Sequence, residues 1–272
     1  MTDDKTTQFQ EEVWNYYRQQ GRHDLPWRQP GSDGSFNPYH IMVSELMLQQ
    51  TQVQRVIPKY QLFLKLFPSV EMLAAAELGD VLRAWAGLGY NRRAKFLHQA
   101  AQKVTQEYAG QFPNDNTQLV KLPGIGANTA GAIMAYAYNE PVVFVETNIR
   151  TAFIHHFFQD LENIADKDIL RLVAKTLDHE HPREWYWALM DYGSYLKQTV
   201  GNHNRRSSSY AKQSRFEGSK RQVRGEVLRQ LSDAPMTKYQ LALRISDQRL
   251  TVVVKDLLAE GLIRERAGKL SL

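Results

Sequence analysis

The stretch LVKLPGIGANTAGAIMAYAY, residues 119–138, decides how the rest of the chain is read. Two glycines one residue apart, Gly124 and Gly126, let the backbone turn tightly with no Cβ in the way. The pattern predicts a short helix, a turn, and a second helix rich in small residues whose first N–H groups lie free at the turn. Those amides, helped by the helix dipole, form an anion site around Gly124, Gly126, Asn128 and Thr129 that a phosphate can approach without a basic side chain. A helical corner in which the glycines serve packing alone is the other reading.

Outward from this stretch, apolar residues recur mostly at spacings of three and four, as in Phe9, Val13, Tyr16 and Tyr17, and β-branched alternation is nearly absent before the C-terminus. The expected fold class is therefore mainly α. Breaks fall at 24–39, 66–70, 86–90, 110–115 and 122–127, where Pro, Gly, Asn and Asp cluster. The 272 residues are 43% hydrophobic, enough for one large domain or two ordinary ones. Apolar runs are too short to span a bilayer, and the polar start lacks a signal peptide's apolar core, so the expectation is an intracellular, cytoplasmic protein without a membrane partner. Monomer is the default.

The chain has no cysteine, which excludes disulfides, iron–sulfur clusters and cysteine-ligated zinc. His155 and His156 are adjacent, hence about 100° apart on a helix, and read as structural rather than as ligands of one metal. No metal or cofactor is expected. A net charge of +5 is compatible with an anionic partner.

Residues 203–224 change character: seven Lys or Arg face one Glu, with three consecutive serines. This is a basic linker or exposed arm, either a solvated tether or a phosphate-contacting segment through Arg205 and Arg206. Beyond it, 224–233, 237–245 and 247–262 read as three short helices, and IRERAGKLSL (263–272) as a hairpin turning at Ala-Gly. That order suggests a winged-helix-like module, which can serve DNA or protein partners. The expected division is a helical domain over 1–202, a linker over 203–220 and the small module over 221–272.

The string LPGIGANTAGAI resembles the helix-hairpin-helix motif of the DNA glycosylase superfamily that includes endonuclease III and the MutY-type adenine glycosylases. HDLPWR (23–28), SELMLQQTQVQRVIPKY (44–60), WAGLGYNRRAKFLHQAA (85–101), VETNIR (145–150) and ALMDYGS (188–194) occur in the MutY order, so the resemblance covers roughly residues 8–197. It implies a two-lobed helical glycosylase fold acting on double-stranded DNA with a mispaired or damaged base. It further implies that Gln50 and Tyr90 enter the duplex, that Trp27 and Arg28 line the base pocket, and that Glu45 is the general acid.

Glu45 sits in an apolar run, MVSELMLQQTQV (42–53), where desolvation would raise its pKa and keep a proton available near neutrality. A polar stripe of Glu45, Gln49 and Gln52 facing water is the alternative. Cleaving a purine N-glycosidic bond needs such an acid and a second negative charge beside an oxocarbenium-like sugar. Glu146 stands where the family usually carries Asp, which displaces the carboxylate by about one bond length, and it can equally serve as a helix N-terminal acid. Asn128 stands where bifunctional relatives carry a lysine nucleophile; an amide forms no Schiff base, so strand cleavage is not expected.

Two features depart from the resemblance. The place of the family's four-cysteine iron–sulfur loop, after ALMDYGS, has no cysteine, and the tail after 220 is too short for a Nudix-like domain. The leading expectation is a monofunctional glycosylase removing adenine opposite 8-oxoguanine or guanine. The alternatives are a thymine or uracil mismatch glycosylase of the same fold and a non-catalytic DNA-binding winged-helix protein.

Overall fold

The computed structural model describes residues 3–213 and 215–272. Helices α1 (Asp3–Gln20), α2 (Pro38–Leu48), α3 (Val53–Leu66), α4 (Val70–Ala75), α5 (Leu78–Trp85) and α6 (Arg92–Glu107) form the first half. They are followed by α7 (Asn116–Leu119), α8 (Ala127–Tyr138), α9 (Thr147–Phe157), α10 (Asp166–Thr176) and α11 (Pro182–Thr199). The tail adds α12 (Lys220–Asp233), β1 (Met236–Thr237), α13 (Lys238–Arg244), α14 (Leu250–Ala259), β2 (Arg264–Arg266) and β3 (Lys269–Ser271). The mainly helical class expected from the apolar spacing is what the chain adopts.

Contacts group these elements into two units that do not follow chain order. One comprises Met1–Glu45, Phe112–Lys121 and Ile125–Ala211; the other comprises Leu46–Gln111, Leu122–Gly124 and Lys212–Leu272. In the first, the side chains of α1, α9 and α11 close on an aromatic centre: the Phe9 ring lies 4.9 Å from Phe153, 5.1 Å from Phe157 and 6.2 Å from Trp185. Helices α9 and α11 approach so closely at Gly193 that a Cβ there would stand 2.0 Å from the Asn148 carbonyl oxygen. The small-residue face of α8 works in the same way, since a Cβ on Gly131 would meet Phe144 at 2.8 Å. The extended segment before α9 is thereby seated on α8, and Tyr186 fixes it further, donating to the Val142 carbonyl at 2.7 Å and stacking on Phe144 at 4.1 Å.

In the second unit α6 packs on α4 and α5 around Phe63, Leu73, Trp85 and Leu97, all buried. The tail has the helix–strand–helix–helix–strand–strand order of a winged helix, with an antiparallel sheet ordered β1-β3-β2. The hairpin turns at Ala267 (φ 48°) and Gly268 (φ 73°), both left-handed, the geometry of a two-residue turn that matches strand twist.

The first part of the basic linker is no free arm. His203–Arg206 form a 3₁₀ turn, Asn204 and Ser207 are buried, and the Ile164 and Ser208 amides donate to the Arg206 and Ile164 carbonyls at 2.9 and 3.0 Å. Charge and serine content alone left a tether and a phosphate-contacting arm equally open. The hydrogen bonds this segment makes with the loop after α9 are long-range and leave no local sequence signal.

Candidate active site

Helix α2 carries Glu45 among Met42, Val43, Ser44, Leu46 and Met47, each at most 1% exposed, while Glu45 keeps partial access to solvent. Burial pushes its carboxyl up to about 8; the like charge of Glu146 adds to this, and Arg28 opposes it. The polar-stripe alternative fails because α2 ends at Leu48 and the chain turns left-handed at Gln50, so Glu45, Gln49 and Gln52 do not share one helical face.

Glu146 is the N-cap of α9, its backbone carbonyl accepting from the Arg150 amide at 2.8 Å. Desolvation raises its carboxyl, and the Arg150 charge and the Thr147 amide oppose that shift. Arg150 is itself held by Asp166 at 2.7 and 2.8 Å and by Asn204 at 3.3 Å. The Glu146 charge in turn opposes ionisation of Glu45. The structure thus brings together two carboxyls that burial pushes above the ordinary glutamate range.

Trp27 and Arg28 lie in a 3₁₀ turn (Pro26–Arg28), each 6% exposed. Arg28 makes a bidentate pair with Asp191 at 2.8 and 2.9 Å, and its guanidinium sits 5.3 Å from the Trp187 ring centroid. Trp187 is also 5.5 Å from Phe36 and stacked with Tyr136 at 5.9 Å. Burial holds the Tyr136 phenol neutral, and the charges of Glu45 and Glu146 reinforce this. Tyr136, Trp187 and Asp191 thus belong to the surroundings of the acids, although sequence reasoning did not single them out. The recognised motif ALMDYGS contained Asp191 and could have flagged it.

Asp191 is 2% exposed and also receives the Arg22 amide at 2.7 Å and the Arg22 guanidinium. Burial alone would raise its carboxyl, but the Arg28 and Arg22 hydrogen bonds and charges outweigh it and hold the group below the usual carboxylate range. Asp191→Asn is expected to destabilise the fold by about 3–5 kcal/mol, because it leaves two guanidiniums without their counter-charge. With a lowered folded pKa, Asp191 stabilises above its unfolded value and loses that contribution as pH falls through the folded value. Urea unfolding of both proteins from pH 7 to pH 2 should therefore show the gap closing in acid; a gap that is constant with pH would refute the assignment.

In the second unit, Gln50 (φ 56°) and Tyr90 (φ 48°) are exposed non-glycine residues in left-handed backbone, a conformation held only where surroundings impose it. Arg93, 7% exposed, imposes it on both loops. Its guanidinium donates to the Leu46, Met47 and Gln49 carbonyls at 2.6, 3.0 and 2.5 Å, and to Thr51, Leu88 and Gly89 oxygens at 3.2, 3.3 and 3.1 Å. Burial lowers its pKa to about 10. The motif at 85–101 contains Arg93, but the sequence reading gave it no role, because the oxygens it binds at 46–51 lie far away in the chain.

Gly124 (φ 78°) turns against Phe96, leaving 2.6 Å for a Cβ, and is exposed. Gly126 is the N-cap of α8 with no side-chain cap and nothing within 4 Å of its Cβ position, so the α8 amides stand open. Asn128 is exposed there; Thr129 is 7% exposed and faces inward. Arg205 is exposed, whereas Arg206 caps α9, donating to the Ile154 and Phe158 carbonyls at 3.2 and 2.9 Å and to Gln159. The guanidinium expected to contact phosphate is thus occupied by a helix C-terminus.

The residues after α11 do not fit an iron–sulfur cluster: they include no cysteine, and their side chains tie this segment to α9 and the loop after it. His155 and His203 pair at 3.1 Å, and His156 meets the Tyr192 hydroxyl at 2.8 Å. Among the described residues no group of three His, Asp or Glu side chains is placed to hold a metal ion.

Two desolvated carboxyls thus stand on a helical scaffold that also carries a glycine-turned helical hairpin. Residues 43–177 match the family described as HhH-GPD superfamily base excision DNA repair protein. An adenine DNA glycosylase of Mycolicibacterium smegmatis is 36% identical over 266 residues, covering 90% of this chain and 89% of that protein. One of Buchnera aphidicola subsp. Baizongia pistaciae is 36% identical over 195 residues, and there the chain matches only 53% of the relative's length. Among solved structures, a thermostable thymine-DNA glycosylase (TM-score 0.62, 23% identity, 71% of this chain and 87% of that one) shares the fold. So does endonuclease III in a non-covalent DNA complex (TM-score 0.61, 17% identity, 73% and 89%). The chain belongs to the HhH-GPD superfamily.

Proposed function

We propose that the chain is a monofunctional DNA glycosylase that removes adenine mispaired with 8-oxoguanine or guanine. The observation that carries this reading is Glu45, set in a buried helix, its carboxyl pushed up to about 8 by burial and by the charge of Glu146. A flipped base delivered to these acids takes the Glu45 proton on a ring nitrogen. The C1′–N bond breaks with its electron pair leaving on the base, and Glu146 stabilises the cationic sugar. Water then adds to C1′ and gives its proton to a carboxylate, leaving an abasic site. Gln50 and Tyr90 fill the hole in the duplex, an amide replacing lost base hydrogen bonds and a ring replacing lost stacking. Asn128, an amide, supports hydrolysis without strand cleavage. The names of the M. smegmatis and B. aphidicola relatives support adenine as the base.

Single-turnover assays on duplexes holding A opposite 8-oxoguanine, A opposite G, T opposite G and U opposite G test this. The expected result is strand breakage of the adenine duplexes only after alkali. Breakage without alkali would overturn the monofunctional assignment, and cleavage confined to T or U opposite G would overturn the choice of base.

A further inference from the structure

Tyr90 is held from two sides of the sequence. Its ring centroid lies 5.4 Å from the Arg93 guanidinium and 5.7 Å from that of Arg221, and Arg221 also donates to the Tyr90 hydroxyl at 2.7 Å. Arg221 lies 131 residues away, in the first turn of α12, where the winged-helix-like tail begins.

That turn has a fixed seat within its unit. Ser219 caps it, accepting from the Gln222 amide, and Lys220 pairs with Asp256 of α14. One turn on, Arg224 pairs with Glu260, which also receives Arg92 from α6 at 2.8 Å, while Lys95 donates to the Glu260 carbonyl. The Arg249 guanidinium closes the other side on the Gly218 carbonyl. Arg221 thus reaches Tyr90 from a base anchored to α6, the helix that follows the Tyr90 loop.

A tyrosine that is 39% exposed and in left-handed backbone would otherwise sample several conformations. We infer that Arg221 is a positioning residue for Tyr90, so that the C-terminal module presets the loop that probes the duplex. The inference rests on the reading of Tyr90 as a duplex-inserted residue. A ring fixed before contact loses less freedom on insertion, so the brace acts on affinity for a distorted site rather than on bond cleavage.

The test uses the full chain labelled with 3-fluorotyrosine and no DNA. Of its 13 tyrosines, Tyr90 is assigned as the fluorine resonance lost in Tyr90→Phe. Arg221→Ala is expected to shift and broaden that resonance, and Arg221→Lys, which keeps a donor, to restore part of the shift. Affinity is then measured for a duplex with a tetrahydrofuran abasic analogue opposite 8-oxoguanine. Arg221→Ala should weaken it about tenfold, while in a Tyr90→Ala background, which has no ring to brace, the same change should have little effect, the signature of two residues acting as one. An unmoved Tyr90 resonance would overturn the inference, as would equal losses in both backgrounds, which would make Arg221 a phosphate contact. Failure of the wild-type protein to cleave any mispair would sink the proposed function and leave the fluorine result standing.

Discussion

Glu45→Gln is expected to lower the single-turnover rate of base release by roughly a thousandfold, since the amide keeps the shape but has no proton to donate. In the wild-type protein the rate should fall as pH rises through about 8, where Glu45 ionises, and also fall in acid as Glu146 is protonated above the ordinary glutamate range. Stability should fall over the same rise in pH. Glu45 has a folded pKa of about 8 against 4.5 for an unperturbed glutamate, so the folded state binds its proton more tightly. Its contribution to stability is full below pH 4.5 and is lost progressively as pH rises to about 8. The Gln variant has no such loss, so above pH 8 it should be the more stable protein by on the order of a few kcal/mol. Urea unfolding at pH 5 and pH 9 reads this directly: a Gln variant that is inactive but no more stable at pH 9 would mean the carboxyl is not desolvated as described. Full activity in the variant would remove Glu45 from the chemistry.

Arg93→Ala should be the most damaging change outside the acids. It strips donors from the Leu46, Met47 and Leu88 carbonyls, all on buried residues, and leaves the Gln49 and Gly89 carbonyls only the Thr51 hydroxyl and the Trp85 indole. The expected loss is about 3–4 kcal/mol. At this size that lowers the melting temperature by roughly 10 °C. Arg93→Lys should recover little, because one ammonium cannot span oxygens on two loops. At a temperature where the variant is still folded, the loosened Gln50 and Tyr90 should lower affinity for an abasic-analogue duplex by at least tenfold, with a smaller effect on undamaged duplex. Wild-type stability in Arg93→Ala would refute the pinning role.

Arg93 and Arg206 show where sequence reading runs out. Each stands beside a second arginine in the sequence, yet one pins two loops and the other caps a helix, because most of the carbonyls they satisfy come from 44 to 52 residues away. Thr129 shows the converse error: a hydroxyl at a helix start reads as a ligand, and tertiary packing turned it inward. Tyr136 gave no signal at all within AYAY, since only the stacking on Trp187 places its hydroxyl within the field of the two acids.

What the sequence determined by itself was local: the helical period, the glycine turn at 124–126, the Ala-Gly hairpin at 267–268, and an acid within an apolar run. Those follow from φ/ψ preferences and from the 3.6-residue repeat, which need no distant partner. The tertiary structure decided the two discontinuous units, the raised carboxyl of Glu45, the Arg28–Asp191–Arg22 cluster and the brace on Tyr90. Desolvation and ion pairing depend on which groups share a volume, and residues more than 100 positions apart share one only after the chain has packed.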